Sequence, residues 1–304
     1  MNNIIKREID LGKVESPIQY VVVSPVRDEE KYIELTVQSM ISQTIKPVEW
    51  IIVNDGSTDR TGEIIDKCAA QYDWIRALHR ADRGYRKAGG GVIDAFYDGY
   101  GVIRQKDWDF IVKFDGDLVF GKTYFEYCFK EFANNPKLGI GGGTIFNNVN
   151  GKYTLEECPS FHVRGATKIY RHKCWVDIGE LIRAPGWDTV DEIKANMLGW
   201  ETKSFSNICL HQERVTGGAE GKWKDNVKHG LANYIAGYHP LFMTLKCIKR
   251  LFNKPRMIGS VALMTGFIKG YVGNVDQVDD HNLIKYIRQQ QINRLLFRKS
   301  LWRY

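Results

Sequence analysis

The chain lacks any run of roughly 18 apolar residues, so no bilayer-spanning helix is predicted. It also lacks paired cysteines. Cys68, Cys128, Cys158, Cys174, Cys209 and Cys247 are scattered with no CxxC spacing, which fits a reduced, cytoplasmic compartment better than a disulfide framework or a zinc site. The first ten residues, MNNIIKREID, carry charges where a secretion signal needs an apolar core, so secretion is not expected. Internal repeats and low-complexity segments are missing too. The net charge of +7 is concentrated: from His239 onward there are 12 Lys+Arg against 3 Asp+Glu, and 31 against 33 before it. A nucleic-acid-binding role for the whole protein therefore loses its main support. Gly139-x-Gly141 lacks the following helix and later acid of a dinucleotide fingerprint, and reads better as a kink or close strand approach.

What is present is alternation. At 304 residues and 43% hydrophobic, the chain can fill one large α/β domain with an elaborated tail, or two small domains. Tyr20–Pro25 and Trp50–Val53 read as buried strands, Ile75–His79 as a weaker one, and Trp108–Phe114 as a fourth. Helical patterns separate them, with Ile33, Val37, Met40 and Ile41 on one face, then Ile64, Ile65 and Cys68, then a helix near Val92–Ile103. Such alternation predicts a mostly parallel central sheet flanked by helices. A helix near Tyr124–Asn134 follows, and then a long polar and aromatic region to about Trp187.

Four polar clusters sit where these strands end: Arg27/Asp28, Asp55, Arg83–Lys87, and Asp115-Gly116-Asp117. In an open parallel sheet such ends line one crevice. Asp55 can accept a hydrogen bond from a base N–H, and Arg83, Arg86 and Lys87 can neutralise a diphosphate. The oxygen-only pair Asp115 and Asp117 suits Mg²⁺ or Mn²⁺ shared with phosphates. Asp-Gly-Asp and Asp55-Gly56 are also ordinary turn sequences, and Ser57, Thr58 and Asp59 ordinary helix caps.

Five segments resemble the family 2 glycosyltransferases: Val22-Val-Ser-Pro-Val-Arg-Asp-Glu-Glu30, Trp50-Ile-Ile-Val-Asn-Asp-Gly-Ser-Thr-Asp59, Asp82-Arg-Gly-Tyr-Arg-Lys-Ala88, Phe114-Asp-Gly-Asp117 and Pro185-Gly-Trp-Asp-Thr-Val-Asp-Glu192. The resemblance spans about residues 18–215. It implies the GT-A fold and an inverting, metal-dependent transfer from a nucleotide-sugar donor, with a UDP-sugar favoured, to a saccharide or lipid-linked acceptor. It implies that Pro25, Val26, Arg27, Asp28, Asp55, Arg83, Lys87, Asp115 and Gly116 surround the donor, and that Asp117, with Asp115 and His211, holds Mn²⁺ or Mg²⁺. Asp191 resembles the catalytic base, with adjacent Glu192 the alternative; a helix-stabilising role for Asp188, Asp191 and Glu192 is the rival reading. Trp187 and Asp188 fall on the acceptor side, where Trp187 or Trp200 could stack on a sugar, although an aromatic core explains at least one of them. Processive synthases of the family carry Gln-x-x-Arg-Trp and membrane spans; Gln212-Glu-Arg-Val215 breaks that motif, so a single addition is expected. A nucleotidyltransferase is the first alternative, although Ser24-Pro-Val-Arg-Asp-Glu29 does not supply its Gly-rich phosphate loop. A non-catalytic nucleotide-binding module is the second.

The expected domains are a catalytic unit over 1–238, with donor half 18–120 and acceptor half 121–238, and a basic helical extension over 239–304. In that extension Met257–Ile268 is apolar but too short to span. Ile284, Ile287, Ile292, Leu295 and Leu296 share a helix face among Arg288, Arg294, Arg298 and Lys299. That pattern, with Trp302 and Tyr304, suits either an anionic membrane surface at the cytoplasmic face or packing on the catalytic unit.

Overall fold

The computed structural model describes residues 18–84, 89–149, 151–155, 158–214, 221–251 and 257–302. The elements are, in chain order, β1 Tyr20–Val26, α1 Ile33–Ile41, β2 Glu49–Asn54, α2 Thr61–Gln71, β3 Ile75–His79, α3 Gly90–Gly101, β4 Phe110–Phe114, β5 Leu118–Phe120, α4 Tyr124–Asn134, β6 Leu138–Val149, β7 Lys152–Leu155, β8 Thr167–Arg171, α5 His172–Ile178, α6 Trp187–Met197, β9 Glu201–Gln212, α7 Gly221–Ile235, α8 Pro240–Arg250, α9 Ile258–Val272 and α10 His281–Leu295. The strands form one sheet ordered β3-β2-β1-β4-β8-β6-β9-β5, with β7 paired to β6.

The four strands read from the sequence lie side by side and parallel. β1, β2 and β4 are buried along their whole length, which is why they read as unbroken apolar runs. Helices cover both faces. One core holds Tyr20, Trp50 and Phe114 with Phe125 and Phe129 of α4; the other holds Val23, Ile51 and Ile111 with Phe96 of α3. Ile33, Val37 and Met40 of α1 point inward as the spacing predicts.

Beyond β4 the sheet becomes mixed. β8 runs antiparallel to β4 and β6, while β6 runs parallel to β9. The glycine run of β6 serves close approach: a Cβ on Gly142 would lie 2.1 Å from the Thr167 carbonyl, and one on Gly143 2.7 Å from that of Ile208. The β6–β9 ladder also shifts register at Leu138/Ile140 and Gly143/Thr144.

The C-terminal helices form a third core with α6. Tyr234, Met243, Leu263, Phe267, Leu283 and Ile287 pack there with Val190 and Ile193. A Cβ on Gly230 would lie 1.9 Å from the Leu263 carbonyl, and one on Gly266 1.9 Å from that of Val227, so α7 and α9 touch backbone to backbone. The expected break after residue 238 therefore falls inside a packed block. Part of the apolar face of α10 is used there: Leu283 and Ile287 are buried, Ile284, Ile292 and Leu295 are half-buried, Leu296 is exposed, and Trp302 packs on Phe161, Tyr238 and Phe242. Leu283, Ile287 and Trp302 thus pack the described part of the tail on the catalytic unit. No helix among the described residues is long and apolar enough to cross a membrane.

Candidate active site

The carboxyl ends of the four parallel strands bring the expected donor residues together. The Val26 carbonyl accepts from Asp55 N at 2.8 Å. Gly116 lies so close that a Cβ there would sit 2.6 Å from Val26 Cγ1, which joins the ends of β1 and β2 to the turn after β4. Pro25 pairs with Val53 inside the ladder, within the sheet. Asp28 has φ +53°, an uncommon backbone for a residue with a side chain. It is held by a bond from Asp28 N to Ser57 Oγ at 3.0 Å, one from Thr58 N to Asp28 Oδ1 at 2.9 Å, and the Arg214 guanidinium at its carbonyl, 2.5 Å away.

The arginines of this edge are engaged with acids. Arg83 meets Asp55 through Nη1–Oδ1 at 3.0 Å and Nη2–Oδ2 at 2.5 Å, and Arg80 donates to the same carboxylate. Arg27 bonds Asp82 at 2.7 Å and the Asp55 carbonyl at 2.9 Å. The Asp55 carboxylate, expected to read a base, is thus occupied by two guanidinium groups. Arg86 and Lys87 lie outside the described residues.

Asp117 is buried, and Gln212 Nε2 donates to its two oxygens at 3.0 and 3.3 Å. Burial, and then the Asp115 charge, push its carboxyl up to about 7. Lys113, buried within β4, ion-pairs Asp115. The two repelling carboxylates form an oxygen donor pair that fits a hard divalent cation, whose charge would relieve the repulsion. His211 is not brought to this pair. On β9 it faces away from Gln212, and its ring stacks on Tyr153 at 4.1 Å between centroids. Among the described residues no group of three or more His, Cys, Asp or Glu side chains is arranged to hold a metal; phosphate oxygens and water are ligands that would complete the shell of such a cation.

The three acids of α6 divide sharply. Asp191 is buried: Lys168 Nζ lies 2.8 and 2.9 Å from its oxygens, and Tyr170 Oη donates to Oδ2 at 2.6 Å. Glu192 is fully buried, 2.8 Å from Lys168, 2.8 Å from His162 Nδ1, and accepting from Val163 N at 2.7 Å. Two carboxylates share one ammonium. Burial, with Glu192 adding to it, therefore pushes Asp191 up to about 6 against the pull of Lys168, while the acids raise Lys168 against its own burial. Every oxygen of the two expected bases, Asp191 and Glu192, already has a partner.

Asp188 is different. It stands in the first turn of α6, half-buried, on the wall of a cavity of about 500 Å³ that Gly89, Pro185, Trp187, Tyr238 and Lys246 also line. Among the described residues no hydrogen bond reaches its carboxylate. Burial would raise its pKa, but the charges of His162, Lys168, Arg164 and Lys113 outweigh that and hold it below the usual range, as does the helix N-terminus in principle. Gly165 leaves the space beside it: a Cβ there would lie 3.2 Å from Asp188 Oδ2. Trp187 links the two halves of the site. Its buried ring has Lys113 at 5.5 Å and Lys168 at 5.4 Å from the centroid, and these lysines are paired neighbours on β4 and β8, so the expected acceptor-stacking ring is engaged by two cations of the sheet. Trp200 donates to Asp177 at 2.9 Å, on the far end of α6.

Lys113, Lys168, Tyr170, His162 and Gln212 were not singled out by sequence reasoning. The available signal was a lysine interrupting an apolar strand three residues before Gly116, and another in Thr-Lys-Ile-Tyr-Arg171.

Comparison with known proteins supports this architecture. The model of the family described as Glycosyl transferase family 2 matches residues 21–175. The chain is 25% identical over 245 residues to a Poly-beta-1,6-N-acetyl-D-glucosamine synthase of Staphylococcus aureus, covering 72% of this chain and 55% of that protein. It is 26% identical over 236 residues to Glycosyltransferase GlyA of Streptococcus pneumoniae, covering 70% and 33%. It thus spans about half the length or less of these relatives. Among solved structures, a mannosyltransferase from Pyrobaculum calidifontis in complex with GDP-Man and Mn²⁺ superposes with TM-score 0.53 at 13% identity, over 92% of this chain and 76% of that one. S. aureus TarS 1-349 in complex with UDP-GlcNAc gives 0.51 at 16%, over 91% and 81%. These two establish likeness of fold.

Proposed function

The chain belongs to glycosyl transferase family 2, and from that premise we propose that it moves a single sugar, with inversion, from a UDP-sugar to an acceptor hydroxyl in polysaccharide or glycolipid synthesis. The relatives named for N-acetylglucosamine polymer synthesis and the UDP-GlcNAc complex favour this donor class. The broken Gln-x-x-Arg-Trp pattern favours one addition.

The observation that carries the reading is the contrast between Asp188 and its neighbours on α6. Asp188, held below the usual carboxylate range, borders a cavity and has no hydrogen bond to its carboxylate among the described residues, whereas both oxygens of Asp191 are held by Lys168 and Tyr170. We assign the base to Asp188 and a positioning role to Asp191. Asp188 takes the acceptor proton as that oxygen attacks the anomeric carbon. Asp115 and Asp117 are the residues that would hold a divalent cation, which when bound supplies charge stabilisation for the departing diphosphate. Lys113 fixes Asp115 and backs Trp187, so the donor and acceptor sides share one rigid connection. For a nucleotide base to reach Asp55, Arg83 or Arg80 must give up its bond there, and the released guanidinium can turn to the diphosphate.

The test is nucleotide release from UDP-GlcNAc and other UDP- and GDP-sugars, with Mn²⁺, Mg²⁺ or chelator. UDP release that needs the cation and rises with a hydroxyl acceptor is expected. Pyrophosphate release from a nucleoside triphosphate, or metal-independent turnover, would overturn the assignment.

A further inference from the structure

The cavity beside Asp188 has a second wall that the donor reading does not use. It is built by α7, α8 and the end of the described chain, and Lys246, Arg250, His229 and Tyr238 line it. Lys246 and Arg250 are one turn apart on α8, both half-buried. Among the described residues neither has a carboxylate within ion-pair distance. Like charges at this spacing repel, and Lys246 lies over the Tyr238 ring, 5.4 Å from its centroid. Asp225 stands on the same wall but faces His229 at 3.8 Å.

We infer that Lys246 and Arg250 bind a phosphate group of the acceptor, so that the substrate class is a hydroxyl compound carrying a phosphate ester, its hydroxyl toward Asp188. This rests on the assignment of the cavity to the acceptor. Burial, and then Arg250, push Lys246 down to about 8; an anion between the two would favour the ammonium and raise that value. Two sources share this chemistry: a soluble phosphorylated sugar or polyol, and a lipid phosphate. The second is kept in view by the exposed apolar side chains of Leu245 and Ile248 on α8 and Val261, Ile268 and Val272 on α9.

The test measures binding of glycerol 3-phosphate, and of phosphatidylcholine vesicles with and without phosphatidic acid, to the full chain and to Lys246→Gln/Arg250→Gln. The double variant is expected to lose roughly tenfold or more in affinity for whichever probe binds, while Lys249→Gln, exposed on the same helix, behaves as wild type. The melting shift given by UDP with Mn²⁺ should be the same in all three. Binding of glycerol 3-phosphate marks a soluble acceptor; binding only of vesicles with phosphatidic acid marks a lipid one. Absence of both, or equal binding by the double variant and by Lys249→Gln, overturns the inference. If the double variant misfolds, Lys246→Gln is read in the same way, with Lys246→Arg as the rescue. A wild-type protein that ignores UDP yet binds phosphate through Lys246 and Arg250 would remove the donor reading and leave this one standing.

Discussion

The ammonium of Lys168 lies 2.8 Å from Asp191 Oδ1, and neither side chain is more than 1% exposed. A lysine of the central sheet thus neutralises a helix that carries three acids in five positions. Lys168→Met would leave Asp191 and Glu192 buried with their ammonium gone. The expected cost is about 3–5 kcal/mol in unfolding free energy, measured by urea denaturation. A loss below about 1 kcal/mol would show that the cluster is not holding α6 to β8.

Asp188→Asn and Asp191→Asn should fail differently. The first is expected to lower the melting temperature only modestly, by the loss of a stabilising charge, and to keep UDP affinity while transfer drops roughly 10²–10⁴-fold, the usual worth of a positioned base. The second is expected to lower the melting temperature and retain most turnover per folded molecule. The reverse pattern would restore Asp191 as the base.

Asp117→Asn removes one of two repelling carboxylates, so the metal-free protein should melt no lower than wild type. The gain in UDP affinity on adding Mn²⁺ should fall roughly tenfold or more, as chelator does to the wild type. Calorimetry with and without Mn²⁺ reads both. An unchanged Mn²⁺ effect would place the cation elsewhere.

His162 supplies a pH dependence. Burial lowers its pKa, but Glu192 at 2.8 Å outweighs that, so the folded value lies above the ordinary 6.5. A raised basic group stabilises the fold fully below 6.5, and the contribution fades as pH climbs through the folded value. The stability difference between wild type and His162→Gln should therefore be largest near about pH 6 and shrink toward about pH 9. At the low end it should be roughly 1.5–3 kcal/mol. A difference that grows with pH would reverse the sign assigned here.

Gly142→Ala should destabilise by about 1–3 kcal/mol or more, because its Cβ would meet the Thr167 carbonyl at 2.1 Å. Gly121→Ala, with nothing within 4 Å of its Cβ, is the control and should stay within about 0.5 kcal/mol. Equal effects in paired thermal melts would argue against the close approach of β6 and β8.

The half of the fold that was legible is the half whose strands are buried on both faces. Val21, Val22 and Val23, or Ile51 and Ile52, need no alternation to announce a parallel strand. β8 was illegible because Lys168 and Arg171 break its pattern, and the burial of Lys168 and half-burial of Arg171 make sense only once α6 supplies carboxylates and α4 supplies the Phe132 carbonyl that accepts from Arg171. The donor residues Asp55, Asp115 and Asp117 were legible from position alone, at strand ends. The choice among Asp188, Asp191 and Glu192 was not: spacings of three and four put them on one side of a helix, and only a lysine from a distant strand separates them. His211 misled for a related reason. A strand alternates its faces, so its neighbour Gln212 reaches Asp117 and the histidine does not.

Where α7 and α9 meet, the main chains at Gly230 and Gly266 are themselves the mating surface. A polypeptide shortened to stop ahead of α8 would leave Val227, Leu231 and Tyr234 facing water and remove the wall bearing Lys246 and Arg250. Trimming at that point would not yield a minimal enzyme; it would give a sticky remnant with an unfinished acceptor chamber.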